Sequence, residues 1–334
     1  MEQIQLPYAH LLRGAIDSHV HCAPHINPRT VTVFNAVRQA AAAGLIGLGI
    51  MDVFANTSGL ASLAMRELGH LGVEVFGGII LEPYVGGIDP RVVRNALAMG
   101  YEPTDGARFV SLPCHHTRFV AMSERRSADY VAACFHVSED RPIPDSIKEI
   151  FDIVAASGAV LNTGHVTGTE ALRLAEAAVS AGIKKILCPA SYFSTQEARA
   201  VAHCGAFLEF SFFVLSHATA VGQTMIDEER HRFPLISLES VSDKISAVGP
   251  EHCVLSSDSG SYVLPTPTEA FREFLIMIQS CGFDDDAIWQ MTARNPGHLF
   301  MRKVQSAKDP QERSSARLHE GSDDQQERHG CSAS

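Results

Sequence analysis

Short apolar runs rich in β-branched residues alternate along the chain with longer, alanine-rich stretches whose apolar positions recur every three to four residues. A period of two marks a strand and a period near 3.6 marks a helix, so the alternation predicts repeated strand-helix units around a parallel sheet. Eight strands can be placed: residues 15–21, 45–53, 73–81, 108–114, 159–162, 185–189, 206–213 and 253–257. Between them lie helical patterns such as Glu170 to Ala181, stopped by Gly182, and Thr268 to Cys281, opened by Thr268 and Glu269. Eight such units close more naturally into a (β/α)8 TIM barrel of the α/β class than into an open sheet.

Two stretches depart from a minimal barrel. Residues 117–144 are too long for an ordinary β4-α4 connection and carry paired charges with Tyr130 and Phe135, which fits a lid over the barrel mouth or a surface excursion. From 303 to 334 the chain is dominated by Ser, Gln, Glu, Asp, Arg and Lys, a composition that cannot offset the entropy of ordering. The expected organisation is a barrel over 1–302 and a disordered tail over 303–334.

Composition narrows the partners. With 334 residues, 46% of them hydrophobic, the chain can bury a large core. Its formal charge of -11 lacks the basic face that phosphate backbones require, so the expected partner is a small-molecule substrate and not a nucleic acid. No apolar run reaches the length of a membrane span and no leader pattern opens the chain, which gives an expectation of a cytoplasmic protein. The eight cysteines include no Cys-x-x-Cys pair and read as reduced thiols within the core.

The candidate chemistry sits at strand ends. In a strand, residues two apart share a face, so His19 and His21 project together, about 6.8 Å apart along the backbone. Asp17 shares that parity and is placed to orient a histidine through its second ring nitrogen. A barrel gathers catalytic groups at the carboxyl ends of its strands, where His165 follows the fifth strand and Asp258 the eighth. Three imidazoles and a carboxylate suit zinc, or manganese, iron or cobalt, with a position left open for water whose proton Asp258 takes. His115 and His116 end the fourth strand; adjacent side chains diverge, so one of them faces the mouth, and His116 is preferred. Glu82, after the third strand, is either a ligand or a packing residue, and His25 either meets substrate or lies in a solvated loop. Glu209, within the apolar seventh strand, reads as a salt-bridge partner or as a barrel-interior group, and His217 as a surface or mouth residue. No phosphate-binding glycine fingerprint and no Gly-x-Ser-x-Gly elbow is present.

Asp17-Ser18-His19-Val20-His21, Thr163-Gly164-His165, Ser256-Ser257-Asp258 and Asn295-Pro296-Gly297-His298-Leu299-Phe300 together resemble the amidohydrolase superfamily of metal-dependent barrel hydrolases, over roughly residues 13 to 302. Val75-Phe76-Gly77-Gly78-Ile79 and Gly86-Gly87-Ile88-Asp89-Pro90 are further similar to a little-characterised group of amidohydrolase-like bacterial proteins. The resemblance implies metal ligation by His19, His21 and His165, with Asp258 as ligand or general base. It also implies hydrolysis of an amide, lactam or ester bond of a small cyclic or aromatic substrate through a metal-activated water. Three positions break the pattern: the sixth strand, Leu187-Cys188-Pro189-Ala190-Ser191-Tyr192, has no histidine, the second ends in Met51-Asp52-Val53, and the fourth has no lysine to carbamylate. A single-metal site follows, or a second one built unusually from His115 and His116. The alternatives are a metal-dependent decarboxylase of an aromatic acid and an inactive barrel acting as a binding protein. Barrels of this kind frequently form homodimers through exposed helices.

Overall fold

Strands that are apolar on both faces need a covering layer on each, and a sheet rolled on itself provides one of those layers from its own interior. The computed structural model describes residues 7–102, 105–221, 231 and 233–302 and shows that arrangement. The strands are β1 (Ile16–Val20), β2 (Gly47–Ile50), β3 (Glu74–Ile80), β4 (Phe109–Ser111), β5 (Val160–Asn162), β6 (Ile186–Pro189), β7 (Phe207–Ser211) and β8 (Cys253–Ser256). All pair in parallel and in chain order. Closure comes from the backbone: Asp258 N–H donates to His19 O and His21 N–H to Ser259 O, each at 2.8 Å. The chain divides into two units, 1–301 and 302–334; the tail expected over 303–334 lies outside the described residues.

The helices are α1 (Val33–Ala43), α2 (Ser58–Leu68), α3 (Pro90–Ala98), α4 (Arg118–Ser123), α5 (Ala128–Ala133), α6 (Asp145–Ser157), α7 (Gly168–Ser180), α8 (Thr195–His203), α9 (Leu238–Val248), α10 (Pro267–Ser280), α11 (Asp285–Trp289) and α12 (Asn295–Phe300). Local chemistry fixes their starts. Reciprocal capping boxes open α7 through Thr167 and Glu170 and α8 through Ser194 and Glu197. Helix α10 starts one residue earlier than the sequence pattern predicts, because Pro267 has the fixed φ suited to a first helical position, and Thr266 occupies the cap. Residues 117–144 hold two short helices, α4 and α5, capped by Thr117 and Ser127. The guanidinium of Arg173 on α7 donates to the carbonyls of Ser138 and Arg141, tying the far end of this excursion to the barrel. No helix among the described residues is long and apolar enough to cross a membrane, and the seven described cysteines are unbridged.

The barrel interior is filled by Ile16, Phe76, Phe109, Val160, Leu187 and Val254, and Phe300 of α12 stacks on Phe76 at 4.8 Å to close the end away from the strand carboxyl termini. Such large rings fit because neighbouring strands carry glycine. A Cβ at Gly49 would lie 2.2 Å from Ser18 O and 2.6 Å from the Phe76 ring, and one at Gly78 would meet Phe109 in the same way. One irregularity decides which side chains enter the mouth. From Asp17 to Val20 β1 advances three residues while β2 advances two, from Leu48 to Ile50, which makes a bulge. Ile16 consequently packs in the interior cluster and Val20 in the outer one between strands and helices, although residues four apart in a regular strand share a face.

The rigid contact at Gly49 gives a direct check on this packing. Gly49→Ala is expected to destabilise the protein by about 2–3 kcal/mol, since backbone and ring must both give way. A thermal midpoint within 1 °C of wild type would contradict it, about 5 °C or more of lowering being expected.

Candidate active site

The mouth is organised by the seam where β1 meets β8. His19 lies within the bulged stretch of β1, His21 follows the strand, and Asp258 follows β8 in a left-handed conformation with φ 47°. Atoms of His19, His21 and Asp258 able to bind a metal all lie within 4.8 Å of one another. Asp258 Oδ1 is 3.0 Å from His21 Nε2 and 3.3 Å from His19 Nε2.

The far side of each ring decides what the near side offers. His21 Nδ1 lies 2.9 Å from Met51 O, an acceptor only, so Nδ1 carries the proton and donates. Burial, the largest effect, holds His21 below its ordinary value, which keeps the ring neutral and leaves a lone pair on Nε2 aimed at a carboxylate oxygen. His19 Nδ1 is 3.1 Å from Glu209 Oε1, and Ser256 donates to the same oxygen at 2.8 Å. Burial would lower His19, but Asp258 and Glu209 override it and push it up to about 9. Asp258 stays below the ordinary carboxyl value: burial opposes this, and the positive charge of His19 is the largest of the effects that outweigh it. Two nitrogens and a carboxylate oxygen therefore converge on a point that favours positive charge, which is the donor set a divalent cation takes.

His165 lines the same pocket but lies outside the group within 4.8 Å. It follows Gly164, whose φ of 72° and proximity to Pro113 O, 2.1 Å from where a Cβ would sit, admit glycine alone. The His165 ring packs edge-on against Phe233 at 5.3 Å, and its buried Nδ1 finds no hydrogen-bond partner among the described residues.

The remaining candidates separate. His115, not the preferred His116, lines the pocket, because the chain turns after β4 and strand parity no longer governs it. His116 turns away, its Nδ1 3.0 Å from Glu82 Oε2. Fully buried Glu82 also accepts the backbone N–H groups of Cys114, His115 and His116, so it braces the β4 loop and does not join the His19 cluster. His25 lies in the pocket wall with Nε2 3.2 Å from Asp52 Oδ1. His217 is exposed. Asp17 does not orient a histidine ring; it accepts the backbone N–H groups of Ser257 at 2.9 Å and His19 at 3.4 Å, tying β1 to β8, and Glu209 takes the orienting role. Phe54, Phe119, Phe213, Phe233 and Tyr192 supply an aromatic wall.

A protein-family model, the family of unknown function DUF6282, matches residues 14–209. The chain belongs to that family. The matched span of this DUF6282 member holds His19, His21, His165 and Glu209 and stops short of Asp258. Three solved structures share the barrel: an amidohydrolase from Pseudomonas aeruginosa (12% identity, 88% of this chain and 98% of the other, TM-score 0.55), a protein of Pseudomonas putida described as a 2-pyrone-4,6-dicarboxylic acid hydrolase (13%, 86% and 97%, 0.51), and organophosphorus hydrolase from Deinococcus radiodurans (14%, 88% and 94%, 0.50). The resemblance to the amidohydrolase superfamily thus holds at the level of the fold. No curated protein matches the chain.

The Glu82 brace makes a pH-dependent prediction. Burial on its own would raise the Glu82 carboxyl, but the His116 hydrogen bond and the N–H groups of His115 and Cys114 outweigh it and hold it below its ordinary 4.5. A carboxyl depressed in the fold contributes stability above its unfolded value and loses it as pH falls through the folded one. Glu82→Gln is expected to cost about 3 kcal/mol at pH 7, with the deficit shrinking below about pH 4.5. Urea unfolding at stepped pH reads this, and a deficit constant from pH 7 to 3 would contradict an ionised Glu82.

Proposed function

We propose that this protein is a metal-dependent hydrolase that opens an amide, lactam or ester bond of a small cyclic or aromatic substrate, with its divalent ion held by His19, His21 and Asp258 and approached by His165. The observation that carries this reading is the pair of imidazole nitrogens and the carboxylate oxygen turned toward one another at the barrel seam, each ring fixed from behind by an acceptor. Nitrogen and oxygen donors of this kind suit zinc, and also manganese, iron or cobalt. When bound, the ion supplies Lewis acidity, which polarises a substrate carbonyl and acidifies a water.

The protein's own groups do the rest. Asp258 receives the proton of the attacking water on the oxygen that faces the mouth and returns it to the leaving group. Its Oδ2 accepts from Ser211 Oγ at 3.4 Å, which leaves that oxygen weakly held and available. Glu209 and Met51 O keep the two rings in the tautomers that present Nε2. The aromatic wall excludes bulk water and receives an apolar ring.

Elemental analysis of protein purified from metal-supplemented medium tests the site. Wild type is expected to hold one ion per chain and His19→Ala none; Glu209→Gln is expected to fold but to bind the ion about 10–100-fold more weakly. A metal content unchanged by His19→Ala would remove the ligand assignment. Against a panel of aromatic lactones and amides, Asp258→Asn is expected to lower turnover by about 10²–10⁴-fold. Oxygen-18 from water is expected in the product; carbon dioxide release without label would favour decarboxylation instead.

A further inference from the structure

The pocket contains a second set of polar atoms that neither the ion nor the proposed proton transfer uses. Arg29, in the loop after β1, and Ser261, in the loop after β8, line it together with the His19 cluster. The two residues are partners in an isolated antiparallel bridge, and Thr30 N–H donates to Gly260 O at 2.9 Å, so their loops are locked side by side. Ser261 is 4% exposed and its Oγ has no hydrogen-bond partner among the described residues; the same holds for the buried Nε of Arg29. Among the residues lining the pocket, Arg29 carries the one guanidinium, and there is no lysine.

What surrounds Arg29 does not satisfy it. Nη1 reaches Pro28 O only at 3.5 Å, the limit of a hydrogen bond. Nη2 sits 2.6 Å from His25 Nε2. That nitrogen is a poor acceptor, because His25 Nδ1 accepts the Asn27 N–H at 2.8 Å, which in the neutral ring puts the proton on Nε2, facing Asp52. The acids nearby are committed elsewhere: Asp52 to His25 and to the Phe54 N–H, Glu209 to His19 and Ser256, Asp258 to the two imidazoles. A partly buried guanidinium whose Nε is buried, with no carboxylate at hydrogen-bond distance among the described residues, is costly unless an anion arrives.

We propose that Arg29 and Ser261 form an oxyanion-binding subsite, taking a carboxylate or phosphate group borne by the substrate while its apolar ring rests on the aromatic wall. The planar fork of the guanidinium presents adjacent N–H donors to an oxyanion, and the Ser261 hydroxyl adds one more. The subsite and the His19 cluster are carried by the same two segments, β1 and β8 with the loops that follow them, so an anchored anion sets the distance between the substrate's charged end and the bond to be cleaved. The inference deepens the hydrolase reading and rests on it for the role of the bound molecule; the binding of an anion at Arg29 is separable from it.

Calorimetric titration of the full-length protein, metal-loaded and EDTA-treated, with benzoate, phenyl phosphate and neutral benzamide tests this. Wild type is expected to bind at least one of the two anions at least tenfold more tightly than benzamide in both forms, and the preferred anion tells carboxylate from phosphate. Arg29→Gln is expected to abolish that preference, Arg29→Lys to keep part of it, and Ser261→Ala to weaken anion binding about three- to tenfold. EDTA-treated His19→Ala is expected to keep the preference, so that failure of the metal site would leave this result standing. Anion binding unchanged in Arg29→Gln, lost only in His19→Ala, or absent from wild type would each overturn the subsite. Should Arg29→Gln fail to fold, an Arg29→Lys affinity equal to wild type together with an unaffected Ser261→Ala overturns it equally.

Discussion

Two backbone hydrogen bonds hold the mouth together: Asp258 N–H to His19 O, and His21 N–H to Ser259 O. They close the barrel, and they also force three side chains that repel as electron-pair donors to share one small space. A lone pair on each imidazole Nε2 and a carboxylate oxygen about 3 Å away make a poor arrangement in a low-dielectric setting unless positive charge stands among them. The surrounding core, from Phe76 and Phe109 to Phe300, makes the barrel stiff enough that the seam cannot relax by spreading. A proton on His19 partly answers the conflict, as its rise to about 9 indicates; a cation answers it for both rings.

The second layer of contacts follows from the same conflict. Each ring has two nitrogens, and committing one to an acceptor determines what the other presents. Met51 O does this for His21 and Glu209 for His19. A glutamate in the middle of a buried strand would be destabilising on its own. Here its Oε1 accepts from Ser256 and meets an imidazole whose proton affinity it raises, so the cost is offset beside the proposed metal site. Glu82, after β3, repeats the device, gathering three backbone N–H groups and a ring nitrogen to shape the β4 loop that delivers His115 to the pocket.

The barrel could be read from sequence because strand and helix periods are local properties, and all eight runs appear as strands within a few residues of where the pattern places them. The positions of His19, His21, His165 and Asp258 at strand ends were equally legible, since a TIM barrel maps strand ends onto one face. Parity failed where the chain stops being regular. The β1 bulge shifts which residues face inward, and no residue type announces it; the turn after β4 sends His115, not His116, into the pocket. Partner choice was also hidden. Asp17 and Glu209 are both acids in apolar strands, and which of them meets a histidine ring depends on the pairing of β7 with β8, contacts more than forty residues apart. Arg29 and Ser261 carried no signal, because an unpaired donor is visible only once its neighbours are known.

Asp258 shows how a local cost and a functional placement are linked. A residue with a side chain at φ 47° is held in a sparsely populated region, and Asp and Asn tolerate it better than β-branched or bulky types. At this left-handed turn the N–H of 258 donates to His19 O in β1 and the carbonyl of 259 accepts the N–H of His21 just beyond it. That geometry favours glycine, asparagine or aspartate, and of these only aspartate brings a negative charge to two imidazole nitrogens. The residue that the backbone tolerates is also the one that the proposed cation would need, and this coincidence, more than the His-x-His pair alone, is what favours a metal-site reading over a pair of histidines that happen to end a strand.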